Sequence, residues 1–435
     1  MLKDILNISE GYPTVDSIVS YETFNYLPVS GTQLNSAGQI VIRVENSDTF
    51  FHPSNSWLQF EGTVKHGETD FLKTDAITFI NNGILNLFDN IRYLLSGQEI
   101  ESIYHPAESS SMLGLLKYSK QYNDGVGLNS CWNVDTDEAK AEMTKNIGFK
   151  NRQFYLLNAF TNDDEGPKGS FRFGIRLDHI FGFAEDYQKI LYGFSHSLVL
   201  VRNSSSNNAL FKATAVAHAG EVEFTSISWR LPRVTPNVQA RLKLMKKIED
   251  KVTLDVGFRM RQCMRTSTKG VTHYTWRLGV KATPEKPRYI IIAFQTGRDN
   301  DQGKNNGIFD TCDLNNAYVL LNSNRYPLLD LDCDFDQNKY DIVYKEAASF
   351  VSKYYGIDPL VSSTCLDPIA YKSLYPLYVF DVSKQSEVIA SSVVDITIQM
   401  FFGTALPENT NIFCLMLSDR KLKFSSDGNK MTVVY

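Results

Sequence analysis

Apolar and polar residues alternate one for one in stretches spread along the whole chain, and a chain patterned this way buries its apolar face by forming sheets. In FRFGIRLD, Phe171, Phe173, Ile175 and Leu177 alternate with Arg172, Gly174, Arg176 and Asp178. Tyr274, Trp276, Leu278 and Val280 interleave with His273, Thr275, Arg277, Gly279 and Lys281, and Val394, Ile396, Ile398 and Met400 with Asp395, Thr397 and Gln399. Further strands are expected at 39–45, 198–202, 221–231, 287–296 and 377–382. Helical spacing is sparse. Asn237 can cap a segment with Val238, Leu242 and Met245 on one face and Lys243, Lys246 and Lys247 off it. Val343, Ala347, Phe350 and Tyr354 mark a second helix that stops at Gly356, and Met112, Leu115 and Leu116 a third at 108–120. Three short helices among so many strands are insertions, not a βαβ series.

The alternation also carries an internal echo. Residues 90–98 (NIRYLLSGQ) can be laid over 316–324 (NAYVLLNSN), an N-x-x-x-L-L-[SN]-[GS]-[QN] pattern. Each copy follows an apolar strand and precedes a helix candidate, with alternating strands beyond it. That shared order points to duplication. The seam is expected at SWRLPRVTPN, where Pro232 and Pro236 bracket a strand exit before the Asn237 helix; Trp229, Pro232 and Pro236 are the candidates for a hinge between the halves. Two β units of about 200 residues, with eight or so strands each, fit a pair of sandwiches or jelly rolls. The Asn- and Gly-rich stretches at 203–208 and 297–307 would be end loops.

Composition narrows the function. At 435 residues, with 43% hydrophobic and 21% charged side chains, the chain can bury a sizeable core. A net charge of −5 argues against tight nonspecific neutralisation of nucleic-acid phosphates. Apolar runs such as Ile290 to Phe294 fall far short of the roughly 18 to 20 residues that span a bilayer. Asp4 and Glu10 stand where a secretory signal needs an apolar stretch, so a reducing compartment is expected. The six cysteines (Cys131, Cys263, Cys312, Cys333, Cys365 and Cys414) are scattered singly, which suits neither a zinc site nor a disulfide framework.

Motifs for chemistry break down on inspection. GRDNDQGKN at 297–305 lacks the spacing of a phosphate loop and reads as a solvated loop. Asp330, Asp332, Asp334 and Asp336 alternate, but Phe335 occupies the place of the turn glycine of a calcium loop, so a charged edge is expected and no metal site. None of the seven histidines pairs at i+4, and no nucleophile elbow is present. No catalytic residue, cofactor or metal ligand is assigned. The basic run KLMKKIEDK reads as a solvated helix face, since Glu249 and Asp250 close it.

Several stretches then suggest a family. PRYIIIAFQTGRDNDQGKNNGIFDTCDLNNAYVLLNSNRYP (Pro287 to Pro327) resembles a segment of the major capsid proteins of Polinton/Maverick elements and adintoviruses, in the lineage of adenovirus hexon and virophage capsids. ISWRLPRVTP, YPLYVFDVSKQ and DITIQMFFGTALPENTNIFCLMLSDRKLKF resemble other parts of that family, most densely over 222–424. The resemblance implies an all-β double jelly roll: two tandem eight-stranded jelly rolls with short helical insertions. It further implies a non-enzymatic capsid protein of the virion, assembled inside the host cell. Its partners would be two further copies in a homotrimeric, pseudo-hexagonal capsomer, neighbouring capsomers, a single jelly-roll penton and minor capsid proteins. No specific nucleic-acid binding and no membrane span are expected. The expected division is an N-terminal arm at 1–18 and barrels at 19–233 and 234–435. The alternative is a carbohydrate-binding tandem β-sandwich stacking sugars on Trp57, Trp132 or Tyr318.

Overall fold

The computed structural model describes residues 17–45, 48–71, 75–157, 169–278, 285–385, 394–427 and 430–434. Eight principal strands come from the first half: β1 (Ile18–Tyr26), β2 (Gly38–Val44), β3 (Trp57–His66), β4 (Phe88–Leu95), β5 (Gln98–Tyr104), β6 (Ser170–Arg176), β7 (His196–Arg202) and β8 (Glu221–Pro236). Eight come from the second: β9 (Leu254–Thr268), β10 (His273–Leu278), β11 (Lys286–Thr296), β12 (Leu314–Leu321), β13 (Asn324–Tyr326), β14 (Tyr378–Asp381), β15 (Ile396–Phe402) and β16 (Thr410–Asp427). All pairings between them are antiparallel. The first eight form sheets in the order β1-β8-β3-β6 and β2-β7-β4-β5. The second eight form β9-β16-β11-β14 and β10-β15-β12-β13. Adding eight to every label of the first pair of sheets gives the second pair. Two sheets of this order packed face to face are a jelly roll, so the chain is a double jelly roll.

The echo marks the same hairpin in both barrels. In β4–β5, Leu95 pairs with Gln98; in β12–β13, Leu321 pairs with Asn324. The two intervening residues have positive φ in each copy: 47° and 81° at Ser96 and Gly97, 46° and 78° at Asn322 and Ser323. A two-residue turn with both residues left-handed matches the twist of its strands, which is why Asn, Ser and Gly recur there.

The described residues hold eight α-helices, more than the three expected: α1 (Pro106–Lys117), α2 (Lys120–Asp124), α3 (Ile147–Leu157), α4 (Leu177–Ile180), α5 (Gly182–Asp186), α6 (Val238–Glu249), α7 (Asp341–Tyr355) and α8 (Pro368–Ser373). In both barrels helices fill the connection after the repeated hairpin, α1 to α3 before β6 and α7 and α8 before β14. As expected, α7 buries Val343, Ala347, Phe350 and Tyr354 and ends at Gly356, whose φ is +69°, and Asn237 caps α6 by accepting from Ala240 N. Two expectations need correction. The alternation at 171–178 leaves the sheet at Arg176, and Leu177 opens α4. The strand expected at 221–231 continues to Pro236. Pro232 is tolerated because the β3 partnership ends at Arg230 opposite Trp57, so the missing N–H is not required on that side. Val280 and Lys281 of one expected strand lie outside the described residues, as do residues 1–16 of the expected arm.

The two cores exchange side chains. Val256, Phe258 and Met260 of β9, with Leu422 and Phe424 of β16, belong to the core of the first barrel. Met112, Leu113, Leu115 and Leu116 of α1, with Trp132, belong to that of the second. Each barrel thus uses part of the other to exclude water.

Candidate functional site: the seam between the barrels

Where the barrels meet, strand positions that face outward from one barrel are covered by the other, and the polar groups there must find partners. Glu101 on β5, paired across the hairpin with the core residue Tyr93 of β4, is fully buried. Its carboxylate accepts from Gly182 N (3.2 Å) and Phe183 N (2.9 Å) at the start of α5, and from Arg261 N on β9 (2.8 Å). Burial raises the Glu101 carboxyl to about 7, although Arg261 and the three N–H groups favour its charge.

Arg261 is the centre of this node. Its guanidinium donates to His179 O (2.7 Å), Asp178 O (2.9 Å) and Glu185 Oε2 (2.7 Å). Glu185 also receives Lys117 of α1 and the Tyr355 hydroxyl (3.0 Å) of α7. Burial alone would raise Glu185, but the Arg261 and Lys117 charges outweigh it and hold the carboxyl at about 2. His179 sits between Tyr118 OH, 2.7 Å from Nδ1, and Asn82 Oδ1, 3.2 Å from Nε2, contacts that suit a neutral imidazole with its proton on Nε2. Burial, with Arg261 and Lys117 nearby, lowers it to about 3.

A second node lies at Asp135, whose side chain, like that of Arg152, is wholly buried. Arg152 of α3 meets Asp135 at 2.7 Å and donates to Phe79 O (2.8 Å). Asn305 Nδ2 and Tyr375 OH reach in from the second barrel, the first donating to Asp135 Oδ2 (3.1 Å), the second accepting from Asp135 N (2.8 Å). The third contact corrects the sequence reading of 297–305 as a solvated loop. Gln302 and Asn305 are buried, and Gln302 exchanges both amide bonds with the backbone of Gly220, at 2.6 and 2.7 Å. Asn300 and Asp299 bond Asn207 and Asn208, so the two Asn-rich end loops clasp each other across the seam.

Gly182 shows how tight the seam is. A Cβ there would lie 1.8 Å from Arg259 O. Gly182→Ala must push α5 off β9 and stretch the bonds to Glu101; a loss of about 2 to 3 kcal/mol is expected, typical of overpacking. Denaturant unfolding measures it, and an unchanged midpoint with unchanged slope would contradict the packing argument.

The residues singled out from sequence do not converge. Trp229 is buried in the first core with Nε1 donating to Ser56 Oγ (2.9 Å), Pro232 lies within β8 opposite Thr23, and Pro236 ends β8 opposite Ile18. Trp132 is buried and offers no face to a sugar, Trp57 is half-buried, and Tyr318 is covered by the Arg325 guanidinium at 4.0 Å from its ring centre. Asp330 bonds Asn316 and Arg325, while Asp334 pairs through its backbone with Lys339. Among the described residues, no group of three or more His, Cys, Asp or Glu is placed to hold a metal, and no helix is long and apolar enough to cross a membrane. The seam residues Glu101, Arg261, Glu185, Asp135 and Arg152 were not signalled by any local motif.

Fold and seam together define a tandem jelly-roll protein whose barrels are joined by buried polar nodes. The chain belongs to the double jelly roll-like domain family, which matches residues 77–422. It is similar in fold to the Faustovirus major capsid protein (TM-score 0.57, 9% identity, 97% of this chain and 92% of that one). The PBCV-1 protein VP54, fitted into a reconstruction of the virophage Sputnik, gives 0.55 at 10% identity, with 98% and 99% covered. The mavirus major capsid protein gives 0.53 at 10% identity, with 98% and 92% covered. No curated protein matches the chain.

Proposed function

We propose that this chain is a major capsid protein of the Polinton/Maverick and adintovirus type. Its activity is to trimerise into a pseudo-hexagonal capsomer of an icosahedral shell around double-stranded DNA. The observation that carries this reading is the recurrence of one eight-strand order in two barrels tied together by buried charges. Two like barrels per chain become six about a threefold axis, an outline that tiles a hexagonal lattice, and a head-to-tail contact that closes after three copies leaves no open end. The major capsid proteins that share the fold support it. Such a chain works by shape, as a non-enzyme that calls on no cofactor or metal.

In this reading the division expected from the sequence, an arm at 1–18 and barrels at 19–233 and 234–435, is kept with one shift: β8 runs on to Pro236, paired with β1 as far as Ile18, so the crossing falls after 236. Of the three hinge candidates, Pro236 is the one at a strand end, next to the Asn237 cap of α6, and we assign the crossing to it. Neighbouring capsomers, a single jelly-roll penton and minor capsid proteins are the partners, and the virion, assembled in the host cell, is the place of action. Light scattering after size exclusion tests this. Three copies of 49.3 kDa give about 148 kDa. A stable species of that mass, hexagonal in negative stain, is expected; a monomer at all concentrations would overturn the reading.

A further inference from the structure

The helix that follows β8 joins exposed apolar residues to a run of cations. α6 buries none of its residues. Val238 and Leu242, one turn apart, are 75% and 65% exposed. Lys246 and Lys243 follow them round the helix, Lys247 stands on its far flank beside Leu244 and Ile248, and Arg241 is exposed as well. None of these four cations forms an ion pair among the described residues, whereas most of the charges around the seam are paired. From 238 to 252 there are five basic and two acidic side chains in a chain whose net charge is −5. Three more exposed apolar residues adjoin the helix. Ile18 (45%) lies opposite Pro236 on β1, with Val19 (69%) next to it, and Val252 (43%) donates its N–H to Lys247 O at 3.1 Å.

Lysines alone would read as a solvated face, and apolar residues alone as a contact between proteins. Their combination on one exposed helix is what a membrane interface requires, with short apolar side chains entering the acyl boundary and cations meeting anionic headgroups. We infer that α6 and the adjoining end of β1 form a docking surface for an anionic lipid bilayer. The contact is peripheral: α6 has 12 residues and lies on the surface without crossing it. Duplex DNA shares the charge complementarity but has no use for exposed Val238 and Leu242, which favours lipid. The surface belongs to a single chain, so the inference holds for a monomer as for a trimer; a trimer would present it three times and gain avidity.

Flotation of the full chain with vesicles tests this. At low salt, binding to mixed phosphatidylserine and phosphatidylcholine vesicles is expected, with at least tenfold less to phosphatidylcholine alone. Combining Lys243→Glu, Lys246→Glu and Lys247→Glu is expected to lower binding more than tenfold. Combining Val238→Ser with Leu242→Ser is expected to lower it severalfold while leaving any retention of a short DNA duplex unchanged. All five side chains are exposed, so the melting temperature should not move, and it is measured alongside. Failure of the unaltered chain to float, or vesicle binding that ignores Val238 and Leu242 and is abolished by duplex DNA, would overturn the inference. The oligomer mass, read separately, keeps this result distinct from the capsid reading.

Discussion

Replacement of Arg261 by methionine is expected to cost about 3 to 5 kcal/mol of folding stability, the range for removing one partner of a buried ion pair. Arg261 is 1% exposed, so the loss is not offset by water. It strands the carbonyls of Asp178 and His179 and leaves Glu185 with only Lys117 and Tyr355. Because β9 supplies Arg261 while α4 and α5 supply its acceptors, the damage falls on the attachment of one barrel to the other. Equilibrium unfolding in urea should therefore lose cooperativity, with one barrel melting before the other. Adding Glu185→Leu should restore part of the stability, since the buried charge is then removed with its partner. Lys269→Ala, which breaks an exposed pair with Glu408 at 3.4 Å, serves as the control and should change nothing measurable. An Arg261→Met variant that unfolds like the unaltered chain would show that the polar nodes do not join the barrels.

The elements that could be read from the sequence are those whose signal is local. Period-two alternation found the long strands, and a two-residue turn of Asn, Ser or Gly found the repeated hairpin, because left-handed φ at consecutive positions restricts the residues allowed. The stop of α7 at Gly356 was visible for the same reason. α4 and α5 were not, since one-turn helices such as LDHI and GFAED carry no periodicity and continue an alternating strand. The seam was illegible for a different reason. Met260 followed by Arg261 looks like an inward apolar residue with a wet neighbour. Only the position of the other barrel makes the wet side dry, and no sequence window of one barrel contains that information. The clasp between 203–208 and 297–305 was hidden likewise: Asn-rich loops read as solvated until their partner is in place.

Acidification should destabilise the protein in two stages. His179 and His196 are both held neutral down to about 3, against 6.5 when unfolded, the first by burial and nearby cations, the second by burial. Between pH 6.5 and 3 the unfolded chain takes up two protons that the folded chain refuses, so their contribution is complete above 6.5 and is lost as pH falls. Each histidine contributes a slope of about 1.4 kcal/mol per pH unit in that window. Glu101 acts in the opposite sense. Its folded carboxyl, raised by burial to about 7 from 4.5, holds a proton that the unfolded chain releases, so falling pH is stabilising over that interval and cancels one histidine. Asp186, raised by burial, adds to the same side. Below 4.5 the Glu101 offset ends and Glu185, held at about 2, begins to be lost as well, so the decline should steepen sharply. Urea unfolding from pH 7 to 3 reads these slopes, and variants assign them. His179→Gln should flatten the curve by about one proton, 1.4 kcal/mol per unit, throughout the 6.5 to 3 window. Glu101→Gln should steepen only the part between 7 and 4.5. A His179→Gln curve parallel to that of the unaltered chain would mean that His179 titrates as freely when folded as when unfolded. The neutral imidazole between Tyr118 and Asn82 would then not be part of what holds the seam closed.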